Sequence, residues 1–181
     1  MGWIRTGLNA VLVAALMTPG AALAQSAEEL LEQLARPDMD RWQRVERQII
    51  AEWSKSGSPS MDLLLQRGRD ALAEGDYDAA IEHLTALTDH APDFAEGYSA
   101  RATAYFRAGH YGPALEDLAH TLALNPQHFG AMIGLGVILE ETGRDARALE
   151  VFRAAQAIHP HQPIIRRAID RLEARVSGRD A

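Results

Sequence analysis

Apolar residues recur at helical spacing along most of the chain after residue 25. In the first such stretch, Leu30, Leu31 and Leu34 share one face of a helix. A second stretch, from about residue 39 to 54, has apolar residues at i, i+3, i+7 and i+11 and charged residues on the opposite side. These apolar positions are Trp42, Val45, Ile49 and Trp53. The pattern predicts two short amphipathic helices.

From residue 61 to 162 the pattern repeats at one fixed interval, which four columns of residues share. The columns are Gly75, Gly109 and Gly143; Ala80, Ala114 and Ala148; Pro92, Pro126 and Pro160; and the small residues Gly68, Ala102 and Gly136. Glycine accepts the left-handed conformation that ends a helix, and proline stops the next helix. Each unit is therefore predicted to be a helix A, a glycine turn, a helix B and an exit marked by proline.

A period of about 34 residues with two helices per unit is typical of tetratricopeptide repeats. The columns have this period, and residues 61–162 resemble three such repeats in tandem. The second unit matches the family pattern best, because it has tyrosine at three aromatic positions. Arg67 and Arg101 stand where the pattern has leucine, which is expected to weaken local packing. The resemblance implies an all-α fold, an α-solenoid of three helix-turn-helix repeats at about residues 61–94, 95–128 and 129–162.

Helical segments with a different pattern flank the repeats. Residues 25–58 are predicted to be a cap over the exposed end of the first repeat, because terminal repeats need covering. The alternative is a docking site built around Trp42 and Trp53. At the other end of the repeat domain, residues 59–178, a last helix at 163–176 is predicted to cover the third repeat. Its row of arginines either faces solvent or meets an anionic partner or lipid headgroups; the row is Arg167, Arg171 and Arg175.

The resemblance also implies that helix A of each repeat lines a concave inner surface, where ligands of the family bind. The residues at these positions are Asp62, Leu65, Arg69 and Leu72, then Glu96, Ser99, Thr103, Phe106 and Arg107, and finally Ile133, Val137, Glu140 and Glu141. The groove is expected to have an apolar floor, arginines toward one side and glutamates at the other end. Such a surface suits an extended peptide or an amphipathic helix, with Phe106 as anchor. An inner face without a ligand is the alternative.

One ligand of the family is not expected. Members that grip the C-terminal carboxylate of a chaperone do so with lysine, asparagine and further basic residues. The corresponding residues here are Leu65, Arg69, Ala100, Ile133 and Gly134, so the clamp is absent.

Composition narrows the class of function. The 181 residues carry a formal net charge of −7, which argues against nucleic acid as the main partner, because phosphate binding needs a basic surface. Cysteine is absent, which excludes disulfides and thiolate metal sites. No nucleophile elbow, phosphate loop or helical metal motif occurs, so we expect no enzyme activity, cofactor or metal. Four histidines fall near inter-repeat corners, too far apart to share an ion; they are His90, His128, His159 and His161.

Residues 1–24 have the pattern of an export signal. Arg5 supplies the positive charge, residues 8–17 form a short apolar core, and Ala22-Leu23-Ala24 gives the small-x-small cleavage pattern. The apolar core is about half of the ~20 residues that a spanning helix needs. We expect a mature chain that begins at Gln25 in a bacterial periplasm or outside the cell; an uncleaved membrane anchor is the alternative.

Together these features favour a non-enzymatic periplasmic scaffold that binds a peptide or helix of an envelope protein in its groove. Membrane contact is not expected. The alternative is a structural module that forms a homo-oligomer through its end caps.

Overall fold

A computed structural model describes residues 26–37 and 40–178, and the structural statements below refer to this part of the chain. Its regular structure consists of α-helices joined by short turns, which confirms the all-α prediction. The helices are α1 (Ala27–Leu34), α2 (Trp42–Trp53), α3 (Pro59–Glu74), α4 (Tyr77–His90), α5 (Ala95–Arg107), α6 (Tyr111–Leu124), α7 (Phe129–Glu141), α8 (Asp145–Ile158) and α9 (Pro163–Ser177).

The predicted export signal, residues 1–24, lies outside the described residues and stays a prediction. Within the described ranges, no helix combines the length and apolar character that crossing a membrane requires.

Three helix pairs form the repeats: α3 with α4, α5 with α6, and α7 with α8. The turn glycines Gly75, Gly109 and Gly143 have φ values of +80°, +80° and +74°. This left-handed region is strained for residues with a side chain, which explains the glycine column. From α3 to α9, each helix packs against the next one along the chain, as in a solenoid.

The contact between helix A and helix B depends on the column of small residues. A Cβ atom at Gly68 would lie 2.5 Å from the Leu84 side chain, and one at Gly136 would lie 2.7 Å from the Phe152 ring. Ala102 holds the same position in the second repeat and is buried. Helix B also contributes small residues to the contact with helix A, and all of them are completely buried: Ala80, Ala114 and Ala148.

Helix α9 begins one repeat period after α7 and so keeps the register of a fourth helix A. Its Ile165 is completely buried, as is Ala131 one period earlier. Ile165, Ala168 and Leu172 belong to the same apolar cluster as Phe152 of the third repeat. The prediction that the last helix covers the third repeat is confirmed.

The N-terminal pair α1 and α2 lies elsewhere than expected. Its apolar residues pack against each other in one cluster. The repeat residues of this cluster are Phe129, at the start of α7, and Ile158, at the end of α8. His161 Nε2 lies 2.7 Å from the Arg36 carbonyl oxygen, and the Gln162 amide donates to Glu46 at 2.8 Å. The expectation that this segment caps the exposed end of the first repeat is therefore wrong. Its apolar stripe is satisfied at the corners, and Arg67, on the first repeat's outer side, stays exposed.

Arg101, the departure from the leucine of the family pattern, forms a buried polar contact between the first two repeats. Its Nε and Nη2 donate to the two carboxylate oxygens of Asp117, both at 2.8 Å. Its Nη1 donates to Thr88 Oγ1 at 2.7 Å. The Asp117 side chain is 8% exposed, and its hydrogen bonds raise the pKa of Arg101. The expected weakening of packing is thus offset by a bidentate ion pair.

We predict that Asp117→Leu lowers the free energy of unfolding by about 3 kcal/mol, because it leaves a mostly buried guanidinium without its counter-charge. The double variant Arg101→Leu/Asp117→Leu should regain most of this loss, since apolar residues often replace a buried ion pair at little cost. Urea unfolding measures both, with the exposed Asp170→Leu as control. Equal losses in the single and double variants would contradict this explanation, because they would show that the unpaired guanidinium does not cause the loss of stability.

Candidate functional site

A groove of about 240 Å³ lies on the inner face between α5 and α7, helix A of the second and third repeats. Side chains of these two helices line it, with Leu118 of α6 at its base. Six of the residues predicted at the ligand-binding inner face are among them: Ser99, Thr103, Phe106, Arg107, Ile133 and Val137. The structure therefore brings these six residues together on one surface.

The groove has an apolar floor and a polar rim. Phe106 stacks on Tyr111 with ring centroids 5.7 Å apart, so the aromatic wall is held in place by a second ring. A hydrogen bond to the Glu141 carboxylate raises the pKa of the Tyr111 phenol. Arg107 is exposed in the last turn of α5 and makes no ion pair with another described residue. Apolar side chains and one available cation are thus offered to a ligand.

Two residues predicted to contact a partner belong instead to the core of the first repeat. Leu65 is 2% exposed and packs in the cluster that contains Leu84 and Leu87. Leu72 is half-buried against the same cluster. The prediction that Leu65 is accessible on the inner face is wrong, because its side chain fills the space between the first and second repeats.

Arg69 lies on the inner face but is engaged within the chain. Its Nη1 donates to Ser54 Oγ at 3.0 Å, and its Nη2 forms an ion pair with Glu96. The expected pair of groove arginines is therefore reduced to Arg107.

Glu140 is also engaged within the chain, by the arginine row of α9. Arg171 donates to both carboxylate oxygens of Glu140, at 2.8 and 2.7 Å, and Arg175 forms a further ion pair with it. The Glu140 side chain is 13% exposed. It therefore anchors α9 rather than marking the acidic end of the groove, and Arg171 and Arg175 are not simply a solvent-facing row.

A polar network joins α2 to all three repeats through Glu96. The Ala131 amide donates to His128 Nδ1 at 3.0 Å, which leaves the imidazole proton on Nε2. His128 Nε2 then donates to Glu96 Oε2 at 2.9 Å, while Glu96 Oε1 meets Arg69. Trp53 stacks on the His128 ring at 4.6 Å. The end of α2 thus lies on the start of α7 and beside Arg69 of α3, which links it to Glu96 in the first turn of α5.

The other tryptophan of α2 packs on a second corner histidine. The Trp42 ring meets His159 edge-on at 5.3 Å, and Phe129 meets the same imidazole at 5.1 Å. His159 is completely buried, with its Nε2 3.4 Å from Glu46. Trp42 and Trp53 therefore pack on repeat residues and are partly exposed. A docking site built around them and self-association through the end caps both stay predictions.

Successive helix pairs with a groove between neighbouring A helices define a helical-repeat protein. A tetratricopeptide repeat family model matches residues 65–111 and 99–163, which together make up more than half of the chain. The chain belongs to the tetratricopeptide repeat family.

Individual relatives agree with this assignment. A TPR repeat-containing protein of Rhizobium etli is 32% identical over 155 residues, which cover 85% of this chain and 76% of that protein. The human protein SGT1 homolog is 33% identical over 103 residues, which cover 57% of this chain but only 28% of that protein.

Solved structures share the fold. The first TPR of Spaghetti (RPAP3), bound to the HSP90 peptide SRMEEVD, has a TM-score of 0.64 at 22% identity, covering 66% of this chain and 95% of that chain. The TPR2B-domain:pHsp70 complex of yeast Sti1 has a TM-score of 0.59 at 25% identity, covering 67% of this chain and 99% of that chain.

Acid should weaken the contact between α2 and the repeats. Burial lowers the pKa of His159 from its ordinary value of 6.5, against the opposing effect of Glu46. The unfolded chain then binds more protons than the folded one as the pH falls below 6.5, so the free energy of unfolding decreases from pH 7.5 toward the folded pKa.

His159→Phe keeps a ring against Trp42 and Phe129 but cannot take up a proton. We predict a smaller loss of stability between pH 7.5 and 5 in this variant than in the wild type, measured by urea unfolding. The exposed His90→Phe is the control and should follow the wild type. Identical pH dependence of stability in all three chains would show that protonation of His159 does not cause the loss of stability in acid.

Proposed function

We propose that this protein is a non-enzymatic interaction scaffold of the bacterial envelope that binds an amphipathic helix or extended segment of a partner protein between α5 and α7. The supporting observation is the open groove, in which Phe106, Ile133 and Val137 present apolar surface beside the available cation Arg107. Apolar anchors in a groove with a cation at its rim suit a segment that carries apolar side chains and a carboxylate.

The chaperone peptides seen with related folds are not the ligand we propose. A carboxylate clamp needs polar side chains along the inner face, but Leu65 and Ala100 are buried and Ile133 and Gly134 line the apolar groove. In the proposed complex, apolar contacts supply most of the binding, and the charge of Arg107 fixes the orientation of the bound segment.

A photo-crosslinking residue at Thr103, in the groove, tests the proposal inside the cell. We predict a specific protein adduct from Thr103 and none from the control position Glu116, which lies on α6 of the same repeat, away from the groove. Val137→Asp, which puts a charge on the groove floor, should abolish the adduct. An adduct that forms equally from both positions, or that survives Val137→Asp, would rule out the groove.

The recovered partner allows affinity to be measured directly. We predict that Phe106→Ala weakens binding roughly 30-fold, because a buried aromatic anchor contributes about 2 kcal/mol or more. Isothermal calorimetry with the purified partner checks this value.

The envelope location is proposed from residues 1–24 and has its own test. Mass spectrometry of the protein recovered from the periplasmic fraction should give a chain that begins at Gln25. Full-length protein confined to the cytosol would contradict the proposal and would leave the groove experiment unaffected.

A further inference from the structure

The inner face of the first repeat is already occupied by the chain itself. The backbone amide and hydroxyl of Ser56 both donate to Asp62 Oδ1, at 2.8 and 2.6 Å. Ser54 accepts from Arg69, and Trp53 covers the imidazole that donates to Glu96. Asp62 and Arg69 are inner-face positions of helix A, so two sites that could contact a ligand are bonded to the segment ahead of the repeats, while Glu96 is held by Arg69 and His128.

The attachment of this segment differs from that of the repeat helices. Helices α1 and α2 pack on each other, whereas neither runs alongside a repeat helix. The contact also encloses titratable groups: His159 is fully buried, His128 is 5% exposed and Glu96 is 9% exposed. The contact therefore combines an apolar cluster with polar groups that water would hydrate after opening, and these polar groups stabilise the closed contact less than apolar side chains would.

The segment would have to move at the short connection between α2 and α3. Gly57, in the connection between α2 and α3, has φ +80°, and a Cβ atom there would have no neighbour within 4 Å. No side chain packs at Gly57, so movement there requires mainly that the two hydrogen bonds between Ser56 and Ser58 break.

We propose that α2, with residues 54–58, is a displaceable internal ligand of the inner face, and that an amphipathic helix of a partner competes with it. Release would extend the groove from the second and third repeats to the first, and would free the Arg69 Nη1 that now donates to Ser54, while the ion pair of Arg69 with Glu96 remains. The competing helix carries an aromatic residue in place of Trp53, which packs on His128, and a hydrogen-bond acceptor in place of Ser54, which meets Arg69. Competition by a partner helix rests on the proposed function, whereas displacement of α2 from the inner face does not.

Amide hydrogen exchange of the wild-type chain is the first test. We expect the α2 amides to exchange at least ten times faster than those of α5 to α8, through opening of the N-terminal segment alone. Exchange of α2 together with α5 to α8 would show a single cooperative unit and would overturn the proposal. This measurement requires no variant.

A peptide of residues 40–58, labelled with a fluorophore, is the second test. Trp53→Ala in the full chain should free the site, so this chain should bind the peptide at least tenfold more tightly than the wild type does. Ile50→Ala, on the exposed face of α2, is the matched control and should bind like the wild type. A peptide that itself carries Trp53→Ala should not bind, and Arg69→Ala in the Trp53→Ala chain should weaken binding.

Equal binding to the wild type, Trp53→Ala and Ile50→Ala chains would overturn the proposal. The peptide assay contains no partner protein, so it can succeed even where crosslinking from Thr103 fails. The two proposals can therefore fail separately.

Discussion

The fold depends on the absence of side-chain volume where helix A crosses helix B. At Gly68 and Gly136 the facing side chains of Leu84 and Phe152 occupy the space that a Cβ atom would need. This contact lets the two helices of a repeat approach closely, and its recurrence from one repeat to the next builds the curved inner face. The groove between α5 and α7 is a product of this spacing, although none of the residues that produce it needs to touch a ligand.

The same packing tolerates a large polar substitution where its hydrogen bonds are satisfied. Arg101 occupies a leucine position, yet Asp117 and Thr88 supply partners for its guanidinium, and the rings of Tyr98 and Tyr105 lie beside it. Arg67, one period earlier, lies on a repeat that no other repeat precedes, and it is exposed. The same residue type therefore serves as a junction contact in one repeat and as surface in another, because Arg67 has no preceding repeat beside it and His83 stands one period before Asp117.

Periodicity predicted the repeats well because packing within a repeat is local. The glycine turns and the small residues were predicted from columns of residues, and the last helix was predicted as a flanking segment. The inner face was foreseen less completely: Thr103, Phe106, Arg107, Ile133 and Val137 line the groove, whereas Leu65, Arg69 and Glu140 have partners inside the chain. For Arg69 and Glu140 those partners come from segments outside their own repeat, and a repeat pattern carries no information about which segment folds back onto it. The corner histidines show the same limit: the contacts of Trp53 with His128 and of Trp42 with His159 depend on the angle at which α2 crosses the repeats.

The return of the N-terminal segment to the far end of the repeats affects how the chain folds. Contacts in a solenoid are mostly local, but Arg36 meets His161 across 125 positions, and Glu46 meets Gln162 across 116. Helices α1 and α2 precede the repeats in the chain, so they find these partners only after the third repeat has been made. The two ends of the described part of the chain are consequently coupled: removing the third repeat would also take away the surface on which α1 and α2 pack.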